Sequence, residues 1–151
     1  LQAQVTVAES CTGGGIGEAI TRIPGSSRWF EAGYITYSNQ QKVRQLEVPE
    51  PLLDAFGAVS REVVEAMVAG ACRKSGALFG VAVSGIAGPD GGTPEKPGGT
   101  VWLAWQGYGN IHSRCMHVQG DRQAVRHQTS ITALAGLIDV CRTVSGKQGR
   151  N

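Results

Sequence analysis

Three features of the sequence predict an α/β domain of three layers, with helices on both faces of a mixed sheet. Short apolar, β-branched runs alternate with segments whose apolar residues recur at helical spacing, in the order β, α, β, α, α, β, a hairpin and a closing α. The first three strands are separated by helical sequence, as parallel neighbours require. The last two are joined by Gly107-Tyr108-Gly109-Asn110, and strands joined by a hairpin run antiparallel. At 151 residues the chain reads as one domain, 1–151, with a polar, frayed tail over 145–151.

Leu1 to Ala8 reads as the first strand. It opens at the first residue, so either the protein starts abruptly or a segment lies upstream. Ile16, Ala19, Ile20 and Ile23 place a helix over about residues 12 to 23, stopped by Pro24-Gly25-Ser26-Ser27. Trp29 and Phe30 are core or interface aromatics, and Gly33-Tyr34-Ile35-Thr36-Tyr37 is a strand by β-propensity. Ser38-Asn39 supplies an N-cap for a short helix from Gln40 to Leu46, so Lys42 falls in its first turn. Pro51 to Phe56 adds a further helical turn. Ser60 caps the next helix, in which Val63, Val64, Met67, Val68, Ala71 and Cys72 form a core-facing stripe that Gly76 terminates. Leu78 to Ser84 is apolar enough for a buried central strand. Residues 85–99 hold six glycines and three prolines, which cannot build a core and so mark a functional loop. Thr100 to Trp105 and Ile111 to Val118 form the hairpin. Gly120-Asp121 opens a long helix through about Val144, with Ala124, Val125, Ile131, Leu134, Ala135, Ile138 and Val140 among its apolar residues.

Composition narrows the function. A net charge of +2, with no run of one sign, argues against a nonspecific nucleic-acid binder. Cys11, Cys72, Cys115 and Cys141 are scattered without a C-x-x-C pair, which points to a reduced, cytoplasmic protein. No apolar run approaches the ~20 residues of a membrane span. No His, Cys, Asp or Glu cluster has metal-ligand spacing, and neither a dinucleotide fingerprint nor a P-loop is present, so no metal and no cofactor are expected.

The chemistry gathers at three turns. Val5-Thr6-Val7-Ala8-Glu9 runs without a linker into Ser10-Cys11-Thr12-Gly13-Gly14-Gly15, placing two hydroxyls and a thiol beside the unpaired N–H groups of a helix N-terminus. Either Ser10 or Thr12 caps that helix, or the turn carries a nucleophile. The turns at Ser10, at Ser38 to Lys42 and at Ser84 to Gly99 all follow strands and share one sheet edge if those strands are parallel, where ligands of open α/β sheets gather. A serine needs a base. His112, His117 and His127 lack an obvious Asp partner, whereas Lys42 sits at the positive end of a helix, where its ammonium is made costly. A solvated surface lysine fits the spacing as well. Cys11 is the rival nucleophile, because a thiol at a helix N-terminus has a lowered pKa. Arg122 and Arg126, one turn apart at the start of the last helix, can meet a phosphate or remain solvated.

Ala8-Glu9-Ser10-Cys11-Thr12-Gly13-Gly14, Thr36-Tyr37-Ser38-Asn39 with Lys42, Gly57-Ala58-Val59-Ser60, Ser84-Gly85-Ile86-Ala87-Gly88-Pro89-Asp90-Gly91-Gly92, Glu95-Lys96-Pro97 with Gly99-Thr100-Val101, and Gly120-Asp121-Arg122 with Val125-Arg126 resemble the CinA C-terminal domain family. The resemblance runs from about Val5 to Leu137. It implies a metal-free serine amidohydrolase that converts nicotinamide mononucleotide to nicotinic acid mononucleotide and ammonia in pyridine nucleotide recycling. Carried onto matching positions, it makes Ser10 the nucleophile and Lys42 its base. N–H groups near Cys11, Thr12, Gly13 and Gly14 are then expected to hold the oxyanion, Tyr37, Ser38 and Asn39 to orient Lys42 or the amide, Ser84, Gly85 and Gly88 to line the ribose and phosphate site, and Arg122 or Arg126 to neutralise phosphate. The helix that precedes the first strand in relatives, and the large N-terminal domain many carry, are expected from the resemblance but not found here. The flank so exposed is expected to meet missing residues or a second copy in a homo-oligomer. Gly15 and Gly98 are small where relatives are bulkier. Two other readings remain, a catalytically silent nucleotide-binding member with a regulatory or scaffolding role and a Cys11-dependent hydrolase or redox protein.

Overall fold

The computed structural model describes residues 3–148. Its elements are β1 (Val5–Glu9), α1 (Gly15–Thr21), a 3₁₀ turn (Ser26–Arg28), β2 (Phe30–Ile35), α2 (Asn39–Leu46), α3 (Glu50–Phe56), α4 (Arg61–Ser75), β3 (Phe79–Gly85), β4 (Thr100–Gly107), β5 (Asn110–His117) and α5 (Arg122–Gln148). The strands form one sheet in the order β2-β1-β3-β4-β5. β1 is parallel to β2 and β3, while β3–β4 and β4–β5 are antiparallel. The sheet is therefore mixed.

Side-chain alternation along the strands divides the core in two. Val5 and Val7 of β1, with Phe79, Val81 and Val83 of β3 and Leu103 and Trp105 of β4, pack against Ile16 and Ile20 of α1 and Val125, Ala133 and Leu137 of α5. Ala8, Ala82 and Ala104 point the other way, toward Leu46 and Leu53 of α2 and α3 and the α4 stripe of Val63, Val64, Met67, Val68 and Ala71. Small residues on that second face let α4 lie close to the sheet. The three-layer arrangement follows.

Chain reversal at β5 uses Tyr108 (φ 49) and Gly109 (φ 81), two successive left-handed residues of the kind a tight hairpin needs. Ser38 caps α2 by accepting from Gln41 N–H at 3.2 Å, and Ser60 caps α4 through Val63 N–H at 3.3 Å. A left-handed Gly76 closes α4.

Several boundaries differ from the sequence expectation. β1 is assigned from Val5, and Leu1 and Gln2 lie outside the described residues. α1 begins at Gly15 rather than near Thr12, because Gly13 (φ 59) and Gly14 (φ 105) are left-handed and residues 10–14 form tight turns instead of helix. β2 spans 30–35 rather than 33–37, since its register is set by pairing Phe30 to Ile35 along β1. α5 runs to Gln148, so residues 145–148 of the expected frayed tail are helical; 149–151 lie outside the described residues. Ile131 and Ile138 of α5 face solvent, because the buried stripe runs through Val125, Ala133 and Leu137.

α2 is held close to α4 by the absence of a side chain. A Cβ on Gly70 would fall on the carbonyl oxygen of Leu46, the last residue of α2. Lys42 and Leu46, one turn apart, are both buried on that face of α2. Gly70→Ala is expected to push α2 outward, costing about 1–3 kcal/mol in urea unfolding. Lys42, carried on the same helix, should move with it.

Candidate active site

The chain leaves β1 toward the α1/α5 face and leaves the adjacent β2 toward the α2–α4 face. Where neighbouring strands send their connections to opposite faces, a crevice opens beyond their carboxyl ends. Ser10 follows β1, Thr36 and Tyr37 follow β2, and Ser84 and Gly85 end β3, so the parallel pairing delivers all three turns to one edge.

At that crevice Lys42 Nζ lies 3.0 Å from Ser10 Oγ, although 32 residues separate the two in sequence. Nζ also donates to the Thr36 and Tyr37 carbonyl oxygens, each at 2.9 Å. Ser10 Oγ lies 3.5 Å from the Tyr37 carbonyl oxygen. Lys42 is 1% exposed and Ser10 7%. Burial pushes the lysine down from the ordinary 10.5 to about 8. The protonated amine donates to all three oxygens. A neutral amine has two N–H bonds and one lone pair, so with both hydrogens held by carbonyls its lone pair is left for the Ser10 hydroxyl.

Cys11 does not behave as its helix-terminal position suggested. The thiol is buried, and desolvation pushes it up to about 11, outweighing the Arg126 charge that pulls it down. The expected low-pKa thiolate is therefore corrected: the thiol stays protonated near neutral pH.

The expected donor set at Cys11 to Gly14 is narrowed by a residue that sequence reasoning left without a role. Glu9 is buried, and its carboxylate accepts from Thr12 Oγ1 (2.5 Å) and from the N–H groups of Gly14 (3.1 Å), Ile16 (3.0 Å) and Gly17 (3.0 Å). Gly13 N–H is spent on the Ser10 carbonyl. Gly13 and Gly14 thus have no N–H to offer a ligand. Ser10, Cys11 and Thr12 of this turn keep an N–H with no oxygen acceptor among the described residues. An acid placed just ahead of a helix start was a legible signal, since carboxylates favour helix N-termini.

A cavity of about 200 Å³ opens beside Ser10. Ser10, Cys11, Tyr37, Ser84, Gly85 and Arg122 line it, as several of the expected residues should. Ala58, Val59 and Ala87 add an apolar wall that the sequence reading had quoted within motifs but given no task. A Cβ on Gly85 would sit 2.7 Å from Val101 Cγ2 and 3.2 Å from Cys11 Sγ, so only glycine fits between the turn and β4. Arg122 reaches across to Gly88 O (2.9 Å) and Tyr37 Oη (3.3 Å), tying the glycine-rich loop and the β2 turn to α5.

Other expected residues go elsewhere. Ser38 is spent on capping α2, and Asn39 lines a separate surface depression with Glu50 and Asp54. Arg126 donates to the Cys11 and Thr12 carbonyls rather than lining the cavity. None of the three histidines is at the cavity; His112 stacks on Trp105 in the hairpin. Among the described residues no group of three His, Cys, Asp or Glu side chains converges to hold a metal. No helix among them is long and apolar enough to cross a membrane.

The sequence matches the CinA C-terminal domain over residues 1–141. The chain belongs to the CinA C-terminal domain family. Among family relatives, a Pseudomonas putida protein named nicotinamide-nucleotide amidohydrolase PncC is 67% identical over 138 residues, covering 91% of this chain and 86% of that one. The protein of the same name from Escherichia coli K12 is 50% identical over 138 residues, covering 89% and 82%. A CinA-like protein of Akkermansia muciniphila is 52% identical over 140 residues, but these make up 34% of its length. The fold agrees with solved structures. A CinA superfamily protein from Klebsiella pneumoniae superposes with a TM-score of 0.89 at 35% identity, covering 93% of this chain and 89% of that one. The CihA protein of Agrobacterium tumefaciens gives 0.89 at 45% identity, covering 92% and 86%.

The lowered lysine has a thermodynamic signature. Below pH 8 the folded and unfolded states are both protonated at Lys42, and folding carries the full cost of burying the ammonium. Between about 8 and 10.5 the unfolded state binds more protons, so stability rises with pH; above 10.5 the penalty is gone. Urea unfolding of the parent and Lys42→Met from pH 7 to 10.5 is expected to show the difference moving toward the parent by on the order of 3 kcal/mol.

Proposed function

We propose that the protein is an amidohydrolase that deamidates nicotinamide mononucleotide to nicotinic acid mononucleotide and ammonia, with Ser10 as nucleophile and Lys42 as base. The observation that carries the reading is the buried Lys42 amine, its pKa lowered to about 8, 3.0 Å from the Ser10 hydroxyl. The amidohydrolase names of the Pseudomonas and Escherichia relatives support the substrate.

Neutral Lys42 takes the Ser10 proton as Oγ attacks the carboxamide carbon, and the carbonyl oxygen becomes an oxyanion. Thr12 N–H and Cys11 N–H, the latter otherwise turned only to its own thiol, are donors available to it. Lys42, held by the Thr36 and Tyr37 carbonyls, then gives its proton to the departing nitrogen, which leaves as ammonia. A water molecule attacks the resulting ester, passing a proton to Lys42, and collapse of that second intermediate returns the proton to Ser10 Oγ and frees the carboxylate. Nothing but water is consumed. Ala58, Val59 and Ala87 offer the pyridine ring an apolar wall, and Ser84, whose hydroxyl bonds to no other described residue, offers a polar contact. Arg122 stands at the cavity with a cationic fork for the phosphate.

Ammonia release from nicotinamide mononucleotide tests this reading. Ser10→Ala and Lys42→Ala should each lower kcat by at least about 10³-fold, as loss of either partner of a nucleophile–base unit does. Cys11→Ala should stay within a few-fold of the parent, and loss of turnover in that variant alone would transfer the nucleophile to sulfur. The rate should climb about tenfold per pH unit below Lys42's pKa and level off above 8, because only the neutral amine accepts a proton. A rate independent of pH between 6 and 9 would remove Lys42 from the base role. Arg122→Ala should raise KM for the mononucleotide by about 10-fold or more while leaving turnover of nicotinamide riboside unchanged.

A further inference from the structure

Arg126 looked from the sequence like a second phosphate ligand. Its geometry describes a different task. Nε donates to the Cys11 carbonyl at 3.1 Å and Nη2 to the Thr12 carbonyl at 3.2 Å, across 115 and 114 residues of sequence. The guanidinium lies flat against the turn, since a Cβ on Gly13 would sit 3.4 Å from Nη2. It pairs with no carboxylate among the described residues. Arg126 borders a depression of about 290 Å³ between α1 and α5, not the cavity beside Ser10.

We propose that Arg126 is a positioning residue that fixes the Ser10-Cys11-Thr12 turn for nucleophilic attack, working opposite Glu9. The proposal rests on Ser10 being the nucleophile. Glu9 takes the turn's donors, the Thr12 hydroxyl and the N–H groups of Gly14, Ile16 and Gly17. Arg126 takes its acceptors. The two opposite charges make no ion pair with each other, so each is free to hold main chain. In a trans peptide the C=O and N–H point in opposite directions. A guanidinium on the Cys11 carbonyl therefore turns Thr12 N–H away from α5 and, as a charged donor, polarises it, strengthening a group that has no acceptor among the described residues. Without the guanidinium the Cys11 carbonyl loses its donor and the Thr12 carbonyl keeps only Gly15 N–H at 3.0 Å, so the turn carrying Ser10 would relax, and displacements near 1 Å at a reacting atom cost about 100-fold in rate.

The test is phosphonylation of Ser10 by an alkyl fluorophosphonate, followed by intact-mass spectrometry, beside deamidation kinetics. In that labelling Ser10 Oγ bonds to phosphorus, fluoride departs, and Lys42 receives the serine proton. Arg126→Ala is expected to label about 10 to 100-fold more slowly than the parent. Guanidinium chloride at low millimolar, non-denaturing concentration should restore part of the rate, and Arg126→Lys, able to serve one carbonyl at a time, should fall between. With nicotinamide mononucleotide, kcat should drop by a similar factor while KM stays within about twofold. Labelling of Arg126→Ala at the parental rate overturns the proposal. So does a KM increase of about 10-fold at unchanged kcat, which would return Arg126 to anion binding. If Arg126→Ala fails to fold, Arg126→Lys and Arg126→Gln carry the same comparison. Parental labelling without ammonia release would defeat the deamidase reading alone, because the Arg126 effect is read from labelling. An unlabelled Ser10 in the parent overturns both.

Discussion

A primary amine stripped of water at the carboxyl ends of the parallel strands of a mixed sheet is the constraint on which the rest of this molecule turns. Lys42 is almost wholly covered, and it makes no ion pair with a carboxylate among the described residues. Two main-chain carbonyls and one hydroxyl are its hydrogen-bond partners among the described residues, enough to satisfy its hydrogens but not to balance a full charge. Burial without a counter-ion is costly to the fold, and the same cost brings the lysine's pKa within reach of neutral pH.

The surrounding structure keeps that arrangement in place. α2 brings Lys42 in from one face of the sheet and the β1 turn brings Ser10 in from the other, because β1 and β2 send their connections in opposite directions. Gly70 lets α2 sit against α4, and Gly85 lets β3 end against the Cys11 thiol. A methyl group would collide with the end of α2 at the first place, and at the second with the Val101 side chain and the thiol next to Ser10. The turn itself has no regular hydrogen-bonding ladder. It is held by Glu9 on its donors and Arg126 on its acceptors, side chains drawn from β1 and from the distant α5.

This bracketing leaves the N-terminus of α1 already occupied by a carboxylate of the chain itself. The macrodipole favours negative charge there, and Glu9 already supplies it from inside the chain. The N–H groups that remain without an oxygen acceptor among the described residues lie just before the helix, at Ser10, Cys11 and Thr12. The Cys11 thiol stays protonated near neutral pH, since its desolvation outweighs the nearby positive charge.

Much of the architecture was legible in the sequence because it follows from periodicity and turn chemistry. Val5 to Glu9 and Phe79 to Gly85 are apolar runs of strand length, Ser38 and Ser60 are caps, and Tyr108-Gly109 sits where a tight hairpin must reverse. These are local properties, and local chemistry decides them. The resemblance to the CinA C-terminal domain family was likewise carried by short motifs. What spacing could not supply was partnership. That Lys42 meets Ser10, that Arg122 faces the cavity while Arg126 grips main chain, and that Glu9 fills the helix terminus all depend on which strands are neighbours and to which face each connection turns. Burial made the same difference to Cys11 and Lys42, since a pKa responds to the water removed around a group. Only the assembled tertiary structure determines how much water that is.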